Sequence, residues 1–479
     1  MHVPERTRSS ITDPSAARAL SRCDELAGIT SMEGGILRTY LSEEHHRQND
    51  LAASWMQEAG LSTRIDAAGT LIGRMEGREP GLPALLLGSH LDSVPGAGRY
   101  DGPLGVIMAL EVIHRLAPHR DQLPFAVEVV AFADEEGSRF GSGLFTSYAM
   151  AGAWQQDWWE HTDDQGLTLR EAFESFGLDP TRIGEAARAP EEIRGYLEAH
   201  IEQSTQLEEA GRALGVVTSI VGERCFTLTV TGEARHAGGT AYHHRRDALV
   251  GAAEMIAAVE EIGRRREVVA TVGQIEAAPG AVNVIPREVV FSIDLRAPAD
   301  APREAAWEEM SARLHELAEA RGLRLTVEEF LRAPAVECSA PLQKVIAAAI
   351  STTDDAGAED PLHTYSRAGH DGVAMSEVTE IGMLFIRCTG GISHHPDEHV
   401  TAPDVALGIQ AFEAGLGAGP QLKMGLADNG SGQRVQLGRL RPSPRPPDRS
   451  TSRTSRRGGR SCPRSARSRT APPSGSGST

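Results

Sequence analysis

The sequence predicts an α/β protein whose main sheet is covered by helices on both faces and whose chain is interrupted by a smaller α+β segment. Three observations lead to this fold class. Apolar runs of strand length alternate with helical patterns in residues 43–132, the order changes to βαββαβ in residues 214–330, and the first pattern then returns. Alternation of strands and helices is typical of a mostly parallel sheet.

The first part of the chain supplies the elements of this main sheet. Residues 43–59 carry apolar side chains at helical spacing, and short strands are expected at 62–66 and 70–74. The apolar runs PALLLG (83–88) and FAVEVVAF (125–132) predict two strands that are buried on both faces. The segment LGVIMALEVIHRL between them predicts a helix, which completes a βαβ unit.

The segment 214–330 has a different pattern. Strands with alternating apolar residues surround two predicted helices, at 247–263 and 302–321. The βαββαβ order suits a ferredoxin-like α+β sandwich of one antiparallel sheet and two helices. We therefore expect one domain formed by residues 1–213 and 331–420, with 214–330 inserted into it.

The C-terminal segment differs from the rest in composition. Residues 421–479 hold 13 basic and 2 acidic side chains and are rich in Arg, Pro and Ser. Such a composition predicts a disordered tail, and a basic nucleic-acid-binding arm is the alternative. Residues 1–420 carry 35 basic against 64 acidic side chains, which argues against nucleic acid as a partner of the main body.

Composition also indicates in which compartment the protein is found. The sequence has no run of eighteen apolar residues and no apolar stretch near its N-terminus, so we expect neither a membrane span nor a secretory signal. Its five cysteines are scattered without a C-x-x-C pair, which argues against a disulfide framework. We therefore expect a cytoplasmic protein.

Acidic residues and histidines follow the predicted strands of the main sheet. GSHLDSV (88–94) follows the first buried strand, RYDGPLGV (99–106) opens the next helix, and ADEEGSRFG (133–141) follows the second buried strand. YLEAHIEQ (196–203) and GGISHHPDEH (390–399) add more histidines. Active sites of α/β sheets lie just past the carboxyl ends of strands, so these clusters are expected to meet.

The residue types in these clusters indicate metal binding. Imidazole and carboxylate groups are ligands for zinc, manganese, cobalt and nickel. Asp101 could bridge two ions, which would share a water, lower its pKa and polarise a carbonyl. In the pair Glu135-Glu136, one side chain can hold metal while the other acts as a base. A single His or an Asp-Glu-Glu run is usually an ordinary surface feature, so the prediction depends on the combination.

These motifs resemble a known enzyme family. GSHLDSVPGAGRYDGPLGV, DEEGSRFG, YLEAHIEQ, RRDAL, PGAVNVIP and SHHPDEHV are similar to motifs of the dinuclear-metal amidohydrolases of the aminoacylase and carboxypeptidase superfamily. The similarity is greatest to the N-carbamoyl-L-amino-acid hydrolase and allantoate amidohydrolase branch, and it runs from about residue 20 to 415. It implies a metallopeptidase-like catalytic domain with an inserted lid and dimerisation domain.

The resemblance implies a ligand set for two divalent ions per subunit: His90, Asp101, Glu136, His200 and His394. Asp101 would bridge the ions, and Asp92 would orient the imidazole of His90. Glu135 would be the general base that activates water and protonates the leaving nitrogen. His395 is an alternative to His394, because both follow Ser393.

The resemblance also implies residues that contact the substrate. His236 would stabilise the oxyanion, in the active site of the partner subunit of a homodimer. Asn283 and Arg296 would bind a substrate carboxylate, while Gln203 and His370 would line the pocket. Loop and strand-end structure is the alternative role for Asn283 and Arg296.

Three positions depart from the family pattern. Gly239–Tyr242 replaces a Thr-Thr-Pro-Met-like run, Ser204 replaces a Gly after His-Ile-Glu-Gln, and Arg367 replaces a Gly in SRAGHD. None is an expected ligand, so hydrolysis is expected to be retained. All three border the expected pocket, so they bear on the identity of the substrate.

The sequence thus predicts a metal-dependent hydrolase of a linear amide or ureido C–N bond, other than a peptide bond. The expected substrate is an N-carbamoyl-L-amino acid, allantoate or N-carbamoyl-β-alanine, which would give the amino compound, ammonia and carbon dioxide. An aminoacylase or aminopeptidase on the same metal core is the alternative within the superfamily. Nucleic-acid binding through the Arg-rich tail is the alternative from another class.

Overall fold

The computed structural model describes residues 13–417 of the chain. The predicted disordered tail, 421–479, lies outside the described residues. Within 13–417, no helix combines the length and the apolar character needed to cross a bilayer.

The described residues form strands and helices that alternate along the chain. The strands are β1 (Ser62–Ile65), β2 (Leu71–Met75), β3 (Ala84–His90), β4 (Ala126–Phe132), β5 (Ile193–Ile201), β6 (Leu214–Ile220), β7 (Gly222–Thr231), β8 (Arg235–His236), β9 (Val269–Thr271), β10 (Ile275–Ala278), β11 (Val284–Ile285), β12 (Glu288–Ala297), β13 (Arg324–Ala333), β14 (Val336–Glu337), β15 (Leu362–Ser366) and β16 (Ile381–Ile386). The α-helices are α1 (Pro14–Ala27), α2 (Glu43–Glu58), α3 (Pro103–Leu116), α4 (Phe145–Met150), α5 (Leu169–Ser175), α6 (Gln206–Ala210), α7 (Ala248–Arg266), α8 (Asp300–Ala320), α9 (Ala340–Ile350), α10 (Gly372–Met375) and α11 (Ala402–Gly417).

The main sheet has nine strands in the order β1-β2-β4-β3-β5-β16-β6-β14, with β15 beside β6. The central strands β4, β3, β5 and β16 run parallel, and the outer pairs are mostly antiparallel. Every residue of β3 and β4 is buried, as their apolar runs predict, because helices cover both faces. One face packs against α1, α2, α3, α9 and α11. The α/β fold class is therefore confirmed.

The second sheet is antiparallel, with the order β10-β12-β7-β13 and β9 beside β12. Residues of β12 alternate strictly between buried and partly exposed, because one face packs on α7 and α8 and the other does not. This arrangement is the α+β sandwich that the βαββαβ pattern predicts. A separate two-stranded ribbon of β8 and β11 lies between β7 and β12 along the chain.

The strand β6 (Leu214–Ile220) belongs to the main sheet, although it falls within the segment 214–330. It pairs with β16, β14 and β15, and the second sheet begins only at Gly222. Its all but continuous burial suits the middle of a sheet covered on both faces. The bounds of the domains themselves stay a prediction.

Candidate active site

The expected metal ligands lie at one edge of the main sheet, where the central strands end. His90 is the last residue of β3, and His200 is the penultimate residue of β5. Glu135 and Glu136 follow β4, and His394 follows β16. These four strands are parallel neighbours, so their carboxyl ends bring together residues that are up to 304 positions apart in the sequence.

Asp101 joins two of these histidines in a first group. Its Oδ1 atom lies 3.2 Å from Nε2 of His200 and 3.7 Å from Nε2 of His90. Gly102 follows with a φ of +81°, and a Cβ atom there would lie 2.4 Å from the His90 ring. Only glycine therefore lets the backbone pass the imidazole and place Asp101 beside it.

The other oxygen of Asp101 faces a second group. Its Oδ2 atom lies 3.3 Å from Nε2 of His394, which is also 3.3 Å from Oε1 of Glu136. His395, the alternative from the sequence, points elsewhere: its Nδ1 atom lies 3.7 Å from Asp397, and its side chain is 58% exposed. The structure thus places His394, and not His395, in the cluster.

The unpaired atoms of the cluster fit divalent metal ions. Within the described residues, Nε2 of His90, Nε2 of His200 and Oε1 of Glu136 are buried, and the polar atoms that face them, at 3.2 to 3.7 Å, all belong to the cluster itself. Buried polar atoms are normally paired, so this set needs a further partner. The Nδ1 atom of His200 lies 2.9 Å from the carbonyl oxygen of Ile201, so Nδ1 carries a proton and Nε2 is the atom that would bind metal.

Asp92 lies directly behind the cluster. Its Oδ1 atom is 3.4 Å from Nδ1 of His90, and its carboxylate accepts the backbone N–H groups of Glu135 at 3.1 Å and Glu136 at 3.2 Å. Burial acts to raise the pKa of Asp92, but the hydrogen bond and charge of His90 and the backbone N–H groups of Asp134 and Glu135 leave it lowered. Asp92 therefore stays ionised and fixes both His90 and the Glu135-Glu136 segment.

Glu135 is the carboxyl group best suited to proton transfer. Its Oε2 atom lies 3.9 Å from Nε2 of His90. Burial raises the pKa of Glu135 well above its ordinary value, the charge of His90 opposes this, and the negative charges of Glu136 and Asp371 add to it. A carboxyl group with a raised pKa both accepts and returns a proton near neutral pH.

The charges of Asp101 and the histidines depend on one another. Burial acts to raise the pKa of Asp101, but hydrogen bonds from His200, His394 and His90 lower it well below its usual range. In return, the hydrogen bonds to Asp101 and Glu136 raise the pKa of His394 to about 10. Without metal, the protons on the histidines therefore compensate the negative charges of Asp101 and Glu136.

Two residues of the cluster were missed in the sequence. Glu398 accepts the backbone N–H groups of Tyr100 at 2.6 Å and Asp101 at 3.2 Å, and the Ser393 hydroxyl lies within hydrogen-bond distance of the carboxylates of both Asp101 and Glu398. Both residues belong to the SHHPDEH motif, so their proximity to His394 was the available signal. They hold Asp101 in place from the side opposite the histidines' strands.

Two of the expected pocket residues also lie at the cluster. The amide of Gln203 donates to Oδ2 of Asp101 at 2.7 Å, and its buried oxygen has no partner among the described residues. The ring of His370 packs edge-on against that of His200, with centroids 4.4 Å apart, and its Nε2 atom lies 2.7 Å from Oγ of Ser366.

The three remaining site residues lie in the second sheet and its ribbon. His236 (β8) and Asn283, just before β11, are both exposed, and none of their hydrogen bonds among residues 13–417 reaches the cluster. Arg296 (β12) forms ion pairs with Asp294 at 2.9 Å and Glu223 at 3.1 Å. Their expected contacts with substrate stay predictions.

The comparisons with known proteins agree with this geometry. The family model described as Peptidase family M20/M25/M40 matches residues 86–416. An N-carbamoyl-L-amino acid amidohydrolase of Geobacillus stearothermophilus is 42% identical over 79% of this chain and 92% of its own length. An allantoate deiminase of Arabidopsis thaliana is 36% identical over 82% of this chain and 81% of its own length.

A solved structure extends the similarity to three dimensions. It is an amidase of the hydantoinase/carbamoylase family from Burkholderia multivorans, with 30% identity and a TM-score of 0.76 over 84% of this chain and 97% of that one. The chain therefore belongs to peptidase family M20/M25/M40. It is an amidohydrolase of the hydantoinase/carbamoylase type, so the predicted hydrolase of C–N bonds other than peptide bonds is confirmed.

Replacement of Asp101 is expected to weaken metal binding at both groups, because its two oxygens face one group each. Asp101→Asn should lower the metal content per chain at both, whereas Glu136→Gln should lower it at one. Metal content after dialysis, measured by mass spectrometry, checks this. Asp24→Asn, on the surface, should match the parent protein. Full metal content in Asp101→Asn would contradict the assignment.

Metal binding is expected to release protons, because metal must displace the proton that His394 carries below a pKa of about 10. Apparent metal affinity should therefore rise with pH from 6 towards about 10. Titration calorimetry at pH 7 in buffers of different ionisation enthalpy measures the protons released. His394→Ala should release fewer, and exposed His119→Ala should release as many as the parent. Equal release from both variants would refute the role of His394.

Proposed function

We propose that this protein hydrolyses the ureido C–N bond of an N-carbamoyl-L-amino acid, or of a related ureido acid such as allantoate or N-carbamoyl-β-alanine. The products would be the amino compound, ammonia and carbon dioxide. The observation that carries the proposal is the position of Glu135, a buried carboxyl group with a raised pKa, beside the cluster of His90, Asp101 and His200. The functions of the relatives, an N-carbamoyl-L-amino acid amidohydrolase and an allantoate deiminase, support the same reaction class.

In this proposal the cluster holds two divalent ions, of zinc, manganese, cobalt or nickel. His90 and His200 would hold one ion, Glu136 and His394 would hold the other, and Asp101 would contact both. When bound, the ions would polarise the ureido carbonyl and lower the pKa of a water molecule. Asp92 keeps the His90 imidazole oriented for this role.

Glu135 would move the proton. Its carboxylate takes a proton from the attacking water as the new C–O bond forms, and it returns that proton to the nitrogen as the C–N bond breaks. The carbamate that leaves then decomposes to carbon dioxide and ammonia. The raised pKa of Glu135 suits both steps, because the group has to be a base first and an acid afterwards.

The second sheet and its ribbon would supply the substrate contacts. Asn283 and Arg296 would bind the α-carboxylate, and His236 would stabilise the oxyanion in the partner's active site of a cytoplasmic homodimer. Exposure of His236 supports a role in trans, because its ring is free to enter a neighbouring subunit. Residues 214–330 would then act as the lid and dimerisation domain, and residues 1–213 with 331–420 as the catalytic domain. Closure of this lid would exclude water.

The reaction is tested by ammonia release from N-carbamoyl-L-amino acids, N-carbamoyl-β-alanine and allantoate. The Glu135→Gln variant should keep its metal content and lose about 10²- to 10⁴-fold in kcat, because it cannot carry the proton. Glu160→Gln, on the surface, is the matched control. Hydrolysis of N-acyl amino acids or dipeptides alone, without ammonia, would favour the aminoacylase or aminopeptidase alternative instead.

The dimeric site is tested by mixing two inactive variants. His236→Ala and Glu135→Gln should each lose activity. Refolded together, they should regain about a quarter of the parent activity, because half of the dimers then contain one complete site. A mixture that stays inactive, although chromatography shows mixed dimers, would place His236 in its own subunit's site.

A further inference from the structure

Arg367 lies where three segments of the active site meet. It precedes His370 by three residues, and its Nη1 atom donates to Oγ of Ser204 at 3.0 Å. Ser204 directly follows Gln203, whose amide donates to Asp101. The guanidinium group is therefore one residue removed from the cluster that contacts the expected metals.

The third segment, the loop that contains Gly391 and His394, packs against the backbone of Ser204. Gly391, three residues before His394, has a φ of +62°, and a Cβ atom there would lie 2.5 Å from the carbonyl carbon of Ser204. The Ser204 backbone and the loop that carries His394 thus touch directly. Arg367 therefore donates to a residue whose backbone packs directly against the His394 loop.

The charge of Arg367 has no carboxylate partner. Within residues 13–417, no Asp or Glu oxygen forms an ion pair with its guanidinium group. Its direct contacts are neutral: the Ser204 hydroxyl, the side-chain amide oxygen of Gln206, which accepts from Nη1 at 2.5 Å and Nη2 at 3.2 Å, and the ring of Tyr365, 5.0 Å from the guanidinium carbon. The nearest acidic side chain along this segment, Glu202, accepts the backbone N–H groups of Gln206 at 3.0 Å and Leu207 at 2.8 Å, and the Ser204 hydroxyl that lies between it and Arg367.

Arg296 differs from Arg367 in the partners of its guanidinium group. Its guanidinium group donates to both oxygens of Asp294, at 3.0 and 2.9 Å, and to Glu223 at 3.1 Å. Its remaining Nη1 atom donates to the backbone oxygen of Arg367 at 3.2 Å. Two carboxylates thus contact Arg296 directly in this structure, whereas the adjacent Arg367 has no direct contact with a carboxylate among the described residues.

We infer that Arg367 binds a second carboxylate of the substrate, so that the enzyme prefers ureido acids derived from acidic amino acids. This inference rests on the proposed function, since it names the substrate class of that same site. A guanidinium group stays charged at any physiological pH and matches a carboxylate with two parallel hydrogen bonds. N-carbamoyl-L-aspartate and N-carbamoyl-L-glutamate carry such a group on their side chains.

Matched pairs of substrates isolate the effect of one charge. N-carbamoyl-L-glutamate and N-carbamoyl-L-glutamine differ only in the side-chain carboxylate, as do the aspartate and asparagine derivatives. The metal-loaded enzyme should prefer the acid of each pair by about 10- to 100-fold in kcat/KM, the range expected for a charge-assisted contact. Arg367→Gln should bring this ratio close to one by slowing the acid, and Arg367→Lys should retain part of it.

The matched control is Arg170→Gln. Arg170 also stacks on an aromatic ring, that of Trp159, at 5.0 Å, but it lies in α5, away from the carboxyl ends of the central strands. Its replacement should leave the ratio unchanged. A ratio near one in the parent enzyme, or an equal loss for both members of a pair in Arg367→Gln, would overturn the inference, because Arg367 would then only support the loop.

Measurements of substrate binding test this inference separately from the proposed function. Calorimetry with metal-loaded Glu135→Gln measures the affinity for each member of a pair without turnover. Tighter binding of the acid through Arg367, with no ammonia from any ureido substrate, would refute the proposed reaction and support the subsite. Hydrolysis of neutral and acidic ureido acids at equal rates would support the reaction and refute the subsite. The absence of both binding and hydrolysis would refute the proposed reaction and the subsite together.

Discussion

The active site is organised by one carboxylate, that of Asp101, which lies among three imidazoles. Each of its oxygens faces a different group of potential ligands, with His90 and His200 on one side and His394 on the other. A buried carboxylate is costly unless positive charge compensates it. Asp101 therefore requires cations beside it, and the fit of the unpaired imidazole nitrogens to metal ions meets this requirement.

The topology of the main sheet brings to Asp101 the cationic groups that its buried carboxylate requires. Four adjacent parallel strands, β4, β3, β5 and β16, end at the same edge, so ligands from distant parts of the sequence converge without long loops. The loop before α3 places Asp101 at that edge, and Ser393 and Glu398 hold it from the other side. The candidate metal cluster is thus a product of sheet topology.

The residues expected to contact substrate are divided between two structural units. Gln203 and His370 belong to the main sheet and lie at the cluster, whereas His236, Asn283 and Arg296 belong to the second sheet and its ribbon. In the proposed reaction, proton transfer and metal binding would therefore depend on the residues of the main sheet. In the proposed reaction, substrate selection would depend on the charges that the second sheet, its ribbon and Arg367 present to the substrate.

The sequence by itself determined the fold class and the donor types, because apolar runs, strand–helix alternation and strand-end histidines are local patterns. The runs before His90 and Glu135 were enough to predict two buried strands and the cluster that follows them. Only the tertiary structure decided between His394 and His395, since adjacent residues differ in direction and not in local pattern. It also placed β6 in the main sheet, because pairing with β16 joins residues about 170 positions apart.

The same holds for the charges that bear on specificity. Nothing local indicates that Arg296 is neutralised by Glu223, or that Arg367 lacks a carboxylate partner within the described part of the chain and instead contacts Ser204, 163 positions away. Sequence patterns report the chemistry of a side chain, but its partners follow from the packing of distant segments. The reaction class could therefore be predicted from the sequence, and the electrostatics of the pocket required the folded chain.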